Sequence, residues 1–495
     1  MTILRRGRLG PQPSDVAEYT SSIESDVHIV EPVIKINEAH VVMLAEEGII
    51  NPKEGSLILK ALAKLDPKMK LDPQLEDVHM NIEAKVIEEL GEAVGGKLHT
   101  GKSRNDQVSA AIRVALRSYT IEIITALTRL QRVILARAQK YLTTIMPGYT
   151  HLQHAQPVTL AHHLLAYYDA FERDILRLMD AYCDMNISPM GAVALATTSF
   201  KINRKRVADL LGFQGLMEHS MDAVSARDFA VKTLSDLALT MNDLSRMAEE
   251  LILWSTIEFN IVEIPDEFSS TSSIMPQKKN PVVLELMRAK AKRVQGDLFT
   301  ALNMTRGLPL SYNIDLQEVT PHIWNSCQIT LSSIKIMTAL LSKVKFKTDR
   351  MLELVINDFS TATDLADILV RELNIPFRIA HQIVGRLVRR LIAEGKALEH
   401  LTPEMLVKIV NETIGKKVSI SQKILAAITD PLKSVSARNV IGGPAPAEVS
   451  RMVKKRAAQT LRDDKWCKEK KIAIRNADQK LAEAIQEVYR EAGKI

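Results

Sequence analysis

Residues 102–146 of the chain read KSRNDQVSAAIRVALRSYTIEIITALTRLQRVILARAQKYLTTIM and contain neither glycine nor proline. A helix over these positions would be about 60 Å long, because an α-helix rises about 1.5 Å per residue. Apolar side chains recur every three or four positions, as they do on one face of a helix. They are Val108, Ile112, Leu116, Tyr119, Ile123, Leu127, Leu130 and Ile134. The segment therefore predicts a long helix with one buried face.

Two further intervals, 158–188 and 216–264, also lack glycine and proline and carry apolar residues three and four positions apart. More helices are predicted after Pro281 and Pro321. Helices of this length exceed the usual three or four turns, and their apolar faces need equally long partners. A bundle shared between subunits would provide those partners, so the pattern predicts an oligomer.

The helical pattern is shorter towards both ends of the chain. Helices are predicted over 33–47 and 52–65, and the pattern becomes short again after about residue 355. The breaker cluster GGPAP at 442–446 predicts a turn between helices. The predicted fold class is all-α. Three units are predicted: a helical unit at 1–104, a central long-helix bundle at 105–355 that assembles into an intersubunit core, and a helical unit at 356–495.

Composition narrows the class of protein. The 495 residues are 46% hydrophobic and 25% charged, which is typical of soluble globular proteins. Cys183, Cys327 and Cys467 form no CxxC pair, so neither a zinc site nor a disulfide framework is suggested. The sequence contains no run of about 18 apolar residues, so neither a membrane span nor a signal peptide is predicted. A cytoplasmic location is expected. The net charge of +6 fits a polyanionic small molecule, since the basic clusters lack the interleaved aromatic residues of a nucleic-acid surface.

The segment 269–281, SSTSSIMPQKKNP, is the most informative polar stretch. It offers hydroxyls, ammonium groups and an amide immediately before a helix. Asn280 followed by Pro281 is predicted to cap that helix and to occupy its first position, with Glu285 one turn inside. The free N–H groups of a helix start favour an anion. From spacing alone, a capped loop with incidental lysines is the favoured interpretation, because serine-rich loops are common.

Two other segments place polar residues beside the long helices. In 95–108, GGKLHTGKSRNDQV, Ser103 and Asp106 have the spacing of a helix cap, which would hold Arg104 and Asn105 at a helix start. The second segment, 148–157, GYTHLQHAQP, is predicted to be a short connection between two long helices. A histidine in such a connection can titrate near neutrality, but it more often packs or faces solvent. His154, His162 and His163 are expected to be structural.

The serine-rich loop closely resembles the signature loop of the aspartase/fumarase superfamily, here Ser272-Ser273-Ile274-Met275-Pro276 with Lys278 and Asn280. Thr271 stands where that family usually has glycine. Segment 95–108 is similar, almost residue for residue, to the argininosuccinate lyases, and it distinguishes them from their relatives. Further matches lie at 20–23, 76–79, 220–228 and 307–313, so the resemblance covers most of the chain.

The resemblance implies a site without a metal or an organic cofactor. It assigns catalytic roles to four residues: Ser272, His151, Glu285 and Lys278. The glutamate would orient and activate the histidine. Substrate-binding positions are implied at Ser22, Arg104, Asn105, Thr150, Arg227, Asn280, Tyr312 and Gln317. Judged from spacing alone, Tyr312 would be assigned to helix packing.

The chain departs from the family pattern after Tyr312. Many members carry a lysine two positions later and a second lysine after an acidic residue, whereas this chain has Ile314, Val319 and Thr320. Either another basic residue replaces the missing cation, or the arginine end of the substrate is held differently.

The resemblance implies cleavage of argininosuccinate to arginine and fumarate by a homotetramer that binds neither nucleic acid nor a membrane. Ser272 is the expected general base and His151 the expected proton donor, although the sequence leaves these two roles interchangeable. Two alternatives stay open. One is another fumarate-producing lyase of the superfamily, of the adenylosuccinate lyase, aspartase or fumarase type. The other is a catalytically silent, crystallin-like structural protein. The absence of HExxH, GxxxxGK[ST], GxGxxG and GxSxG motifs leaves zinc-hydrolase, ATP-dependent and hydride-transfer chemistry without support.

Overall fold

The computed structural model describes residues 8, 10–415, 418–419, 425 and 428–494. It is about 70% helical with a few short strands, which confirms a mainly helical architecture of several units. Residues 1–7, which hold most of the basic start of the chain, lie outside this description. Among the described helices, none combines the length and the apolar character needed to cross a membrane.

The helices are numbered in chain order. They are α1 (Ser14–Thr20), α2 (Ile23–Asp26), α3 (Val30–Glu46), α4 (Pro52–Leu62), α5 (Val78–Leu90), α6 (Glu92–Gly95), α7 (Arg104–Lys140), α8 (Leu160–Met185), α9 (Arg204–Leu210), α10 (Ser220–Ser225), α11 (Asp228–Ser255), α12 (Val282–Thr305), α13 (Asp315–Lys343), α14 (Thr348–Ile356), α15 (Ala362–Leu373), α16 (Phe377–Ala393), α17 (Pro403–Ile414), α18 (Pro431–Ala437) and α19 (Pro446–Ala492).

The strands are short and form two-stranded pairs. They are β1 (Ile145–Thr150), β2 (Gln153–Thr159), β3 (Ile187–Ser188), β4 (Gly215–Leu216), β5 (Val262–Glu263), β6 (Ser270–Thr271), β7 (Lys279–Asn280) and β8 (Lys345–Phe346). Strands β1–β2, β5–β8 and β6–β7 pair antiparallel, and β3–β4 pair parallel. These pairs hold together the segments that connect the helices.

Helix α7 lies at the centre of the molecule and packs against α3, α8, α13 and α19. Its inward residues, such as Ile112, Leu116, Ile123 and Leu127, are almost fully buried in the main hydrophobic core. This confirms the long helix predicted within the interval 102–146, although the helix ends at Lys140, and Ile145 and Met146 belong to β1. Helices α11, α12 and α13 pack side by side and complete the bundle.

The carboxylate of Asp106 fixes the start of α7. Ser103 and Asp106 form a capping box, in which the Ser103 N–H donates to Asp106 Oδ1 at 3.1 Å. Asp106 Oδ2 accepts from the N–H groups of Gly191 and Val193 at 3.0 and 2.8 Å. Burial raises the pKa of Asp106 to about 6, and the three N–H donors oppose that rise. One buried side chain therefore joins a helix start to the loop after β3.

Two predicted helix extents need correction. The interval 216–264 is broken at Ala226–Arg227, between α10 and α11, and helical structure ends at Ser255. The chain has no glycine or proline at this break, so the sequence carries no breaker signal there. The interval 158–188 begins inside strand β2, because segment 148–157 forms a β-hairpin rather than an irregular connection.

The expectation of only short helices after residue 355 is wrong for residues 446–492. They form α19, the longest described helix, which packs against α7, α4 and α3. Its buried side chains, including Val449, Leu481 and Val488, belong to the main core. Residues 447–492 also contain no glycine or proline, so the criterion that predicted α7 applies to this segment as well. The predicted turn at 442–446 is confirmed, since Gly442 has φ +86° and a Cβ on Gly443 would lie 2.1 Å from the Arg438 carbonyl oxygen.

A second hydrophobic cluster is built from α15, α16 and α17, with Leu369, Leu387 and Leu406 at its centre. It is separate from the main core, whose apolar residues run from Ile29 to Val488. The unit boundaries predicted after residues 104 and 355 stay predictions.

Replacing Asp106 by alanine should lower the free energy of unfolding by roughly 2–4 kcal/mol, because a helix cap is lost and buried N–H groups lose their acceptor. Urea unfolding measures the loss, and hydrogen exchange at Gly191 and Val193 should accelerate. Glu122→Ala, an exposed change in the same helix, is the control. Equal unfolding midpoints for Asp106→Ala and wild type would contradict this role.

Candidate active site

A cavity of about 190 Å³ lies where the N-terminal segment, the starts of α5, α7 and α11, and the loop before α13 meet. It gathers six of the predicted substrate-binding residues. They are Ser22, Arg104, Asn105, Arg227, Tyr312 and Gln317. These residues come from widely separated parts of the chain, so tertiary folding alone brings them together. We call this cavity the substrate pocket.

Arg104 forms ion pairs with two carboxylates in the substrate pocket. Its Nη1 donates to Asp77 at 2.8 Å and to Glu76 at 3.2 Å. Burial by itself would lower the pKa of Arg104, but the two carboxylates raise it above its ordinary value. The guanidinium is therefore charged and held in place against the α5 start.

Arg227 has a different environment. It is 3% exposed, and its Nη1 donates only to the backbone carbonyls of Val224 and Ala226, at 3.4 and 2.9 Å. Its Nε has no partner among the described residues, and no carboxylate there pairs with it. Burial lowers the pKa of Arg227 to about 10, so it remains a cation at neutral pH. It lines the pocket together with Ile314 and Thr320, where the sequence lacks the expected lysines.

Ser22 is held by a buried carboxyl group. Its Oγ donates to Asp26 Oδ2 at 2.7 Å, and the Val78 N–H donates to the same oxygen at 3.0 Å. Burial raises the pKa of Asp26 to about 7 despite these two hydrogen bonds. Near neutral pH, Asp26 is thus partly protonated, while it ties the start of α2 to the start of α5.

A strained turn forms the wall beside Asp26. Glu76 has φ +65° and ψ −58°, and the Asp77 N–H donates to the Leu75 carbonyl at 2.7 Å, which defines a rare γ-turn. The Glu76 carbonyl accepts from the Ser22 N–H and the Ser21 hydroxyl, both at 3.0 Å. Strain of this kind persists where surrounding contacts determine the backbone, and it is often found at functional sites.

Four acidic or basic pocket residues were not predicted from the sequence: Asp26, Glu76, Asp77 and His79. Burial lowers the pKa of His79 to about 4, and neither ring nitrogen has a partner within the described chain. The imidazole is therefore neutral. The matched segment at 76–79 was a usable signal, but nothing in its spacing pointed to a pocket.

The other six predicted residues do not line the substrate pocket. They are Thr150, His151, Ser272, Lys278, Asn280 and Glu285. Thr150 and His151 lie at the tip of the β1–β2 hairpin, where Thr150 pairs with Gln153 and both His151 and Leu152 have φ +56°. Within the described residues, the exposed His151 ring makes no hydrogen bond and forms no ion pair with Glu285.

Ser272 lies at the start of a loop, residues 272–278, that the β6–β7 pair closes. Its Oγ accepts from the N–H groups of Ile274 and Met275 at 3.3 and 3.0 Å. Two N–H donors aimed at one hydroxyl oxygen stabilise negative charge on it. The turn would therefore favour the deprotonated form of Ser272 if this residue acts as a base.

Lys278, the last residue of this loop, and Lys279, the first residue of β7, differ in their environment. Lys279 Nζ is 2.6 Å from Asp266 Oδ1, whereas Lys278 is exposed and has no ion pair among the described residues. Asn280 does not cap the following helix as predicted. It pairs with Ser270 in the β6–β7 ladder, and α12 begins at Val282 without a side-chain cap.

The predicted structural role of three histidines agrees with their contacts. His154 pairs with Asp358, His162 contacts the Gly442 carbonyl, and His163 pairs with Glu250. No group of three or more histidine, cysteine or acidic side chains in the described chain is arranged to hold a metal ion.

Comparison with known families relates this chain to lyases. A lyase family model matches residues 7–296, and the argininosuccinate lyase C-terminal model matches residues 359–436. Argininosuccinate lyase of Methanocaldococcus jannaschii is 51% identical over 459 residues, 92% of this chain and 93% of that protein. The Methanothermobacter thermautotrophicus enzyme of the same name is 49% identical over 451 residues, 90% of this chain and 96% of that protein.

Solved structures show the same architecture. EDDS lyase in complex with formate is 30% identical, with a TM-score of 0.89 over 98% of this chain and 97% of that one. Class II fumarase from Schistosoma mansoni, at 16% identity, shares the fold alone, with a TM-score of 0.70 over 82% of this chain and 90% of that one. Sequence relatives, family models and shared fold together show that the chain belongs to the argininosuccinate lyase family.

Proposed function

We propose that the substrate pocket binds argininosuccinate, which this enzyme splits into arginine and fumarate. The convergence of six predicted binding residues in one cavity is the observation that carries the assignment. The relatives at 49–51% identity, which are named argininosuccinate lyase, support this substrate over those of the fumarase, aspartase and adenylosuccinate branches.

The charges of the pocket suit this substrate, which carries three carboxylates together with an ammonium and a guanidinium group. Arg227 is the pocket cation that no described carboxylate neutralises, so it would receive a substrate carboxylate. Arg227 would thereby supply the positive charge that is missing because Ile314 and Thr320 replace the expected lysines. Glu76, Asp77 and the ionised form of Asp26 would favour the cationic parts of the substrate.

The reaction needs one group to remove a proton from the carbon beside a carboxylate and another to protonate the departing nitrogen. The N–H groups of Ile274 and Met275 would stabilise the Ser272 alkoxide, so the deprotonated form that acts as the base becomes easier to reach. Lys278 supplies a positive charge for the carbanion's carboxylate. His151 is the proposed proton donor, oriented by Glu285. Asn280 and Thr150 would complete the contacts to substrate.

We further propose a homotetramer in which each site is assembled from several chains. Polar groups of the hairpin tip and the serine loop are exposed, and neither lies in the substrate pocket of its own chain. The long helices also leave apolar side chains uncovered, including Phe299 and Leu302 on α12, 70% and 49% exposed. A second copy of the bundle would cover such residues and bring the missing groups to the pocket.

A cytoplasmic location is also proposed. The three cysteines are free in the structure, as expected for a reducing compartment.

The purified protein should release fumarate and arginine together from argininosuccinate. Ultraviolet absorbance follows fumarate, and amino-acid analysis follows arginine. Adenylosuccinate, malate, aspartate and EDDS, offered separately, should give no comparable turnover, because the pocket residues match argininosuccinate lyases. Preferred turnover of any of these four compounds would overturn the assignment.

Ser272→Ala should reduce kcat by at least about a thousandfold while substrate binding is largely kept, because the group acts mainly in the transition state. Ser273→Ala is the matched control, since no hydrogen bond of its side chain is seen in the described structure, and it should be milder. Steady-state kinetics and equilibrium binding separate the two effects. The reverse order of severity would place the base on Ser273.

Inactive His151→Asn and Ser272→Ala proteins should regain part of the activity when they are mixed, unfolded mildly and refolded together. Some hybrid sites would take an intact His151 from one chain and an intact Ser272 from another, while other sites would carry both defects. Each variant refolded alone is the control. Mixed tetramers that stay inactive, or a monomer by light scattering, would exclude shared sites.

A further inference from the structure

The hairpin that carries Thr150 and His151 rests on the part of the chain that follows α13. At its base, Ile145 packs with Val355 of α14 and Val435 of α18 in a small separate hydrophobic cluster. Nearer the tip, His154 Nδ1 lies 2.5 Å from Asp358 Oδ2, just beyond the end of α14. Residues more than 200 positions away in sequence therefore hold the hairpin.

The tip itself is conformationally costly. His151 and Leu152 form the two-residue loop, and both have φ +56°. The left-handed conformation costs about 1–2 kcal/mol for a residue with a Cβ, and it is kept only where other contacts impose it. Packing of Leu152 does not supply those contacts, because this side chain is 65% exposed.

A groove of about 500 Å³ separates the hairpin tip from the body of the protein. Its lining includes Leu152, Glu258 and Leu354. Two interactions cross it. The Tyr149 ring lies against Phe259 with 5.6 Å between ring centroids, and His154 pairs with Asp358. These two side-chain interactions add to the packing of α14 along β1 and of α18 against both strands.

The His154–Asp358 contact is suited to set the direction of the tip. Asp358 Oδ1 accepts from the Ser360 N–H at 2.7 Å and from its hydroxyl at 2.5 Å, which fixes the carboxylate. His154 stands opposite Tyr149 in the strand ladder, and their rings meet edge to face at 5.2 Å. The pair is partly buried, with side-chain exposures of 31% and 18%, so its geometry is better defined than that of a free surface pair.

We propose that His154 and Asp358 are positioning residues that aim the hairpin tip, and with it Thr150 and His151, at the active site. This inference rests on the proposed role of His151 as a catalytic residue. The pair links the region after α13 to the chemistry, although neither residue touches substrate.

The test uses full-length His154→Phe, Asp358→Asn and the double variant. Phenylalanine keeps the ring that meets Tyr149 and removes the hydrogen bond, while asparagine keeps the shape of Asp358 and removes its charge. Each single change should lower kcat about ten- to hundredfold, as expected for a misplaced catalytic group, with KM changed by less than about threefold. The double variant should lose no more than the worse single variant, because the charge-assisted hydrogen bond between the two side chains is lost in all three.

His163→Phe is the matched control. His163 forms a comparable pair with Glu250 at 2.7 Å, and its ring lies 4.8 Å from that of Trp254 in a tilted arrangement. These interactions do not involve hairpin residues. Its kcat should stay near that of wild type. Additive losses in the double variant, or an equal loss in the control, would overturn the proposal.

Hydrogen exchange gives a readout that does not depend on activity. The hairpin amides from Tyr149 to His154 should exchange about tenfold faster in both single variants, with little change in α7, because local opening becomes easier. Unchanged exchange, or faster exchange with unchanged kcat, would contradict the positioning role. If wild type does not cleave argininosuccinate, the proposed function fails, and these exchange rates still decide whether the pair holds the hairpin.

Discussion

The buried carboxylate of Asp106 is the interaction on which the pocket depends. It closes the first turn of α7 through Ser103 and accepts two N–H groups from the loop at Gly191 and Val193. Arg104 and Asn105 lie between these contacts, so their side chains leave a fixed helix start towards the substrate pocket. Helix α7, which is 37 residues long, packs against the other helices of the bundle, so the position of its start is fixed relative to them.

The sequence predicted the features that depend on local chemistry and helical period. The α7 start, its capping box and the long bundle helices follow from spacing and the absence of breakers. The β1–β2 hairpin could not be predicted, because a glycine and two prolines interrupt any alternation in its strands and its tip has no turn-forming glycine. The interval 447–492, which lacks glycine and proline, could have predicted helix α19. Its packing against α3, α4 and α7 could not be predicted, because these partners lie more than 300 positions away.

The candidate site shows the same difference between features that the sequence predicts and features that only the fold creates. The six pocket residues that were predicted came from family motifs, whereas Asp26 and His79 owe their altered pKa values to burial that only the fold creates. The structure also separates two sets of groups. Binding residues line the pocket of each chain, while Ser272 and His151 lie on exposed loops elsewhere. In the proposed tetramer, activity would depend on assembly, since a lone chain would bind substrate without completing the chemistry.

The most direct test of this account is a crystal structure of Ser272→Ala protein with argininosuccinate bound. The account predicts substrate in the cavity formed by Ser22, Asn105, Tyr312 and Arg227 of one chain. The hairpin tip and the loop 272–278 that approach it should belong to other chains. Substrate bound outside that cavity, or a complete site formed by one chain, would contradict the account.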